Sequence, residues 1–197
     1  MLEEFFDKPS FDSRFSWLNE PESWWVDSEK EVLIIEPNQE TDFWQKTRYG
    51  FENDNGHFLY TEVMDDFMLE ARLSLNFQNQ YDQAGLMIRL SSDFWLKTSI
   101  EHEQEDEDKL GVVVTRDGFS DWSSQEYSGR LKDISFRIEK EGPDFLVYFK
   151  EMPESGWTQL RMTHLKESDS INCGLYACSP VGSGFSARFD YLKISRI

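Results

Sequence analysis

Apolar and polar residues alternate one by one along most of this chain, which is the two-residue period of a half-buried strand. Phe67, Leu69, Ala71, Leu73, Leu75 and Phe77 fall on one side, with Met68, Glu70, Arg72, Ser74 and Asn76 on the other. The segment from Tyr81 to Glu101 alternates twice, around a turn at Ser91, Ser92 and Asp93. Ala84, Leu86, Ile88 and Leu90, then Phe94, Leu96, Thr98 and Ile100, form its core face. Ile134, Phe136 and Ile138 run into Gly142, Pro143 and Asp144 and continue as Phe145, Val147 and Phe149, a hairpin. WWVDSEKEVLIIE, from Trp24 to Glu36, predicts another, and Asn55-Gly56 is a strong short-range hairpin-turn signal. INCGLYACS and FSARFDYLKI supply closing strands. No window keeps a 3.6-residue period for three turns, so any helix is expected to be a single turn in a loop.

Roughly a dozen short strands at this spacing predict an all-β fold, a two-sheet antiparallel sandwich or jelly roll. No linker rich in Pro, Gly or Ser divides the chain and no repeat is visible, so residues 1–197 are expected to form one domain.

The second face of the Tyr81–Glu101 hairpin carries the candidate chemistry. Centring the turn on Ser92 pairs Leu90 with Phe94 on the core side. On the other side it pairs Arg89 with Trp95, Met87 with Lys97, Gly85 with Ser99 and Gln83 with Glu101. A slip of one residue would bury Arg89 and Lys97, so burial itself selects this register. An exposed indole beside amide, carboxylate and ammonium groups suits a saccharide or another small polar ligand. Gly85 leaves room above the backbone. The expected ligand site is therefore Gln83, Arg89, Trp95, Lys97 and Glu101. Trp122, resuming a strand after Asp117-Gly118, extends it, and His57 and Tyr60 join it from a neighbouring hairpin.

Four stretches carry a resemblance: TDFWQKTRYGFENDNGHFLY, YDQAGLMIRLSSDFWLKTSIE, VVVTRDGFSDWS and LYACSP, in that order. Together they resemble an uncharacterised family with the concanavalin A-like lectin/glucanase fold, over nearly the whole chain. That family includes bacterial proteins of unknown function and a fungal cytoplasmic regulator of enolase. The resemblance implies a concanavalin A-like jelly roll whose concave sheet face is the site. It also implies a glycolytic enzyme as a protein partner, and no catalytic mechanism.

Charge narrows the classes. Thirty-eight acidic against 20 basic residues give a net charge of −18. Nucleic acid and anionic membranes both need a basic footprint, and none is visible. The N-terminus lacks a basic flank followed by an apolar run, and no stretch approaches the length of a membrane span. Cys173 and Cys178 are an odd number apart, so one strand points them to opposite faces and they cannot bridge each other. Free thiols without an export signal predict a cytoplasmic protein.

His57, His102 and His164 are scattered without ligand spacing, so neither a metal nor a cofactor is expected. Cys178 is expected to be a buried structural thiol, or else part of the site's rim. Glu101, Glu103 and Glu105 alternate, and a glycoside hydrolase using an acidic pair near Glu101 is the alternative function. Their polar neighbours and the continuing acidic run instead predict a solvated hairpin tip.

Overall fold

The structure is a computed structural model that describes residues 1–104, 107–127 and 133–197. It holds seventeen strands among those residues and no helix. In chain order they are β1 (Leu2–Glu4), β2 (Ser16–Leu18), β3 (Ser23–Asp27), β4 (Val32–Glu36), β5 (Phe43–Gln45) and β6 (Glu52–Asp54). Next come β7 (His57–Val63), β8 (Phe67–Asn76), β9 (Gln83–Ser91), β10 (Phe94–Gln104), β11 (Glu107–Arg116) and β12 (Phe119–Tyr127). The chain closes with β13 (Asp133–Glu141), β14 (Asp144–Lys150), β15 (Thr158–His164), β16 (Ile171–Cys178) and β17 (Ser186–Ser195).

Two antiparallel sheets form a sandwich. The first runs β15-β14-β13-β8-β17-β4-β3, with β1 added on β17; the second runs β12-β11-β10-β9-β16-β7-β2. The alternating apolar files meet between them. Leu69, Ala71, Leu73, Phe136, Ile138, Val147 and Phe189 from the first sheet pack on Leu59, Leu86, Ile88, Leu96, Val112, Val114 and Leu175 from the second. Each buried side chain of this kind contributes about 1.5–3 kcal/mol relative to exposure. This interior supplies most of the apolar burial.

The Tyr81–Glu101 hairpin pairs as its pattern requires. Trp95 faces Arg89, Lys97 faces Met87, Ser99 faces Gly85 and Glu101 faces Gln83. The turn itself differs: Phe94 pairs with Ser91 instead of Leu90, through a bulge before Trp95. The hairpins β3–β4 and β13–β14 form at the expected places. Asn55-Gly56 does not make a hairpin. β6 pairs with β5, while β7 pairs with β16 and β2. Asn55 spends its side chain on the chain at residues 40–42, accepting from Asp42 N at 3.0 Å and donating to Glu40 O at 2.9 Å. Gly56 is required by crowding, since a Cβ there would stand 2.5 Å from Cys178 Sγ and from the Phe43 ring.

These contacts define a flap. Between β4 and β7 the chain crosses the outer face of the second sheet as the β5–β6 hairpin. No helix of the described residues is long and apolar enough to cross a membrane.

Candidate functional site

β9 and β10 turn Gln83, Met87 and Arg89, with Trp95, Lys97 and Glu101, toward the flap. The flap divides this face into a packed part and an open part. On the packed part Phe43 and Trp44 lie against Phe58, Met87, Trp95, Val113, Tyr176 and Cys178, a second apolar cluster outside the sandwich interior. Trp95, expected at the open base of a groove, has 0% of its surface exposed. Phe43 roofs it at 6.3 Å between ring centroids, and its indole N–H donates to Ser92 O at 3.1 Å. The physical reason is area: an indole carries too much apolar surface to stay wet when an aromatic flap can cover it. Cys178 is buried in this cluster, and Cys173 points into the sandwich interior. Both thiols are free, and burial pushes both pKa values up.

Beside the packed part lies a cavity of about 440 Å³. The flap supplies Asp42, Trp44, Tyr49, Phe51 and Asn53; the sheet supplies Gln83, Lys97, Glu101, Glu103, Val113 and Trp122. Tyr81, Pro180 and Val181 complete the lining. A chain of polar contacts runs through its floor. Lys97 Nζ donates to Gln83 Oε1 at 2.8 Å and pairs with Asp42 Oδ1 at 3.2 Å. The same ammonium lies 5.7 Å from the Trp95 ring centre and 5.5 Å from that of Tyr176. Gln83 Nε2 donates to Glu101 Oε2 at 2.9 Å, and Tyr176 OH donates to Gln83 Oε1 at 3.2 Å. Lys97 and Gln83 are 3% and 2% exposed, so their charge and amide are tolerated only because each is satisfied. Glu101 keeps part of its surface open to the cavity but is sunk deep among protein atoms. Loss of solvation pushes its carboxyl up to about 8, with Lys97 opposing the rise.

The other expected residues are dispersed. Arg89 is buried and grips Asp54 with two bonds of 2.8 and 2.7 Å, its guanidinium over the Phe43 ring, so it latches the flap. His57 is also buried: its Nε2 accepts from Asn38 N at 2.9 Å and its Nδ1 donates to Asn19 O. Those partners fix the neutral tautomer, and burial pushes its pKa down. Tyr60 stacks on Phe58. β16 separates β7 from β9, so neither His57 nor Tyr60 reaches the cavity. Trp122 does line it. Gly85 leaves no room for a ligand; it is required by the neighbouring strand, because a Cβ there would stand 1.9 Å from Thr98 O.

The acidic run is not merely a solvated tip. β10 continues to Gln104, and Glu101 and Glu103 face the cavity. Glu105 lies outside the described residues. Asp42, Trp44, Tyr49, Phe51 and Asn53 were not expected at the site. Their signal was a stretch from Asp42 to Phe51 rich in aromatics yet lacking any strand period, which has to cover something. Among the described residues no group of three or more His, Cys, Asp or Glu side chains could hold a metal ion.

The family model described as "Protein of unknown function (DUF1349)" matches residues 17–197. The chain belongs to that family. It is 34% identical over 178 residues to "Regulation of enolase protein 1" of Saccharomyces cerevisiae, covering 90% of this chain and 87% of that protein. A crystal structure of a functionally unknown protein from Saccharomyces cerevisiae superposes with a TM-score of 0.86 at 31% identity, covering 94% of this chain and 97% of that one. A xylan β-1,4-xylosidase from Bacillus halodurans superposes with a TM-score of 0.79 at 14% identity, over 98% of this chain but 39% of that one. The last likeness concerns the fold alone: a concanavalin A-like sandwich that is also found within larger glycosidase chains.

Proposed function

We propose that this family member is a non-catalytic binding protein whose cavity takes a saccharide or another small polar ligand. One observation carries the reading. Asp42, Lys97, Gln83 and Glu101 are joined beneath aromatic walls in an open cavity of about 440 Å³. That size is in the range of small-molecule pockets, and buried polar groups fixed by one another are pre-organised to orient a ligand. Trp44, Tyr49, Phe51, Tyr81 and Trp122 offer flat apolar area for a sugar ring. Free, buried thiols support a reducing compartment and hence the cytoplasm.

The name of the yeast relative supports a further step, in which the occupied protein contacts a glycolytic enzyme such as enolase. The test is calorimetry and tryptophan fluorescence against a panel of neutral, amino and phosphorylated sugars, since Trp44 and Trp122 stand in the lining. Binding that is lost in Trp122→Ala supports the reading, and silence across the panel overturns it. Sedimentation with purified enolase tests the partner.

Glycoside hydrolysis is the second reading. A carboxyl raised to about 8 in a cavity beside Glu103 favours it, because a general acid needs such a pKa. Glu101 and Glu103 sit side by side on one strand, and Asp42 is spent on Lys97. Hydrolysis of aryl glycosides that vanishes in both Glu101→Gln and Glu103→Gln would establish it.

A further inference from the structure

The cavity holds more acids than bases. Four ionisable side chains line it: Asp42, Lys97, Glu101 and Glu103. Lys97 and Asp42 neutralise each other in the floor. Among the described residues no cation pairs with Glu101 or Glu103. Lys109 stands directly opposite Glu101 across the β10–β11 pair, but it turns away to Glu126. Among the described residues Gln83 Nε2 is the one donor to the Glu101 carboxyl, at Oε2, and Oε1 is left for a ligand.

The walls have the same preference. Trp44, Tyr49, Phe51, Tyr81 and Trp122 line the cavity, and aromatic rings attract a desolvated cation to their electron-rich faces. Glu101 is sunk among protein atoms and burial holds its carboxyl above the usual carboxylate range, so at neutral pH it keeps its proton; an ammonium group beside it favours the ionised form, and that proton passes to solvent. A phosphate would meet the opposite situation, facing two carboxyls with the lysine already spent.

We infer that the ligand of this cavity is a small hydroxylated molecule bearing a protonated amine, of which an aminosugar is the simplest form. The amine is placed against Glu101 and Glu103. The inference rests on the cavity being the binding site and adds the ligand's charge.

The experiment is isothermal titration at neutral pH with glucosamine, glucose and glucose 6-phosphate, on wild type and on Glu101→Gln. Wild type should bind glucosamine at least roughly tenfold more tightly than glucose, with glucose 6-phosphate weakest. In Glu101→Gln the ratio of glucosamine to glucose affinity should fall severalfold toward one. A circular dichroism melt of the variant checks that it is folded; if it is not, Glu103→Gln carries the same measurement. Glucose equal to or tighter than glucosamine overturns the charge inference while leaving the binding reading intact. Tightest binding of glucose 6-phosphate overturns it too. No heat from any of the three at millimolar concentration counts against both.

Discussion

Trp95 and Glu101 lie on the same face of one strand, six residues and about 20 Å apart, in opposite surroundings. Around Trp95 the flap has closed: Phe43, Tyr176 and Met87 exclude water, and the outer face of the sheet becomes a second, smaller core. Around Glu101 the same flap stands away, and the sheet's polar groups satisfy one another instead of being covered. One sheet face thus carries a packing surface and the proposed binding surface side by side, and the flap's anchors decide where one gives way to the other. The base of the flap is held by Asp54 on Arg89, Asn55 on Asp42 and Gln45 N on Ser120 Oγ. Its tip closes on itself, with Lys46 N donating to Phe51 O at 3.1 Å and Gly50 N to Lys46 O at 3.3 Å. Lys46, Arg48 and Gly50 all take left-handed backbone there, at φ of 53°, 62° and 74°, a conformation that is costly for the first two.

The largest effect expected from breaking the packed half is that of Trp95→Ala. It should lower stability by about 3–5 kcal/mol in urea unfolding, as for other large-to-small changes in a core. Trp122→Ala, a half-buried wall of the cavity, should cost about 1 kcal/mol or less while abolishing ligand response. Equal losses of stability would erase the distinction. Asp54→Ala should come next, at about 1–3 kcal/mol. It strands the buried Arg89 guanidinium, although Asp54 is itself a third exposed, which moderates the cost. Hydrogen exchange of residues 42–54 should speed up relative to the rest of the second sheet.

Glu101→Gln sharpens the other half. The Glu101 carboxyl moves from 4.5 when unfolded to about 8 when folded, so the folded state holds the extra proton between those values. Stability therefore falls as pH rises through that window and levels off above it. The variant lacks this dependence. Its stability relative to wild type should rise from pH 4.5 to 8, by about 1–3 kcal/mol, less than the full shift because cavity water reaches the carboxyl. Chemical unfolding at stepped pH reads it directly, and a flat difference would mean that Glu101 is solvated.

How much of this was legible follows from what a two-residue period encodes. It assigns side chains to faces, so the sandwich, its core and the pairing of Gln83 with Glu101 and Arg89 with Trp95 could be read from spacing. It says nothing about what lies over a face. Phe43 covers Trp95 from a strand of three residues, too short to show a period. Two of the flap's three left-handed positions fall on Lys46 and Arg48, where no glycine announces them. Asn55-Gly56 predicted a hairpin turn, but the chain only bends there and its hydrogen bonds go to residues 40–42, with β6 paired to β5. Strand order was the other hidden variable. With β16 inserted between β7 and β9, His57 and Tyr60 were carried away from residues that look adjacent when hairpins are assumed to neighbour one another.

The smallest expected effect separates packing from binding within the flap itself. Phe43 and Tyr49 are both aromatic and six residues apart, but Phe43 has no exposed surface while Tyr49 is more than half exposed, stacked on Phe51 and tilted against Trp44. Tyr49→Ala removes little buried area, so unfolding free energy should move by less than about 0.5 kcal/mol. Ligand affinity should nevertheless fall severalfold, because the ring is a wall of the cavity. Phe43→Ala should show the reverse weighting, costing several kcal/mol through the void left over Trp95. If Tyr49→Ala instead destabilised the protein as Phe43→Ala does, the tip of the flap would belong to the second core, and the open half of the sheet would be no more than a gap in its packing.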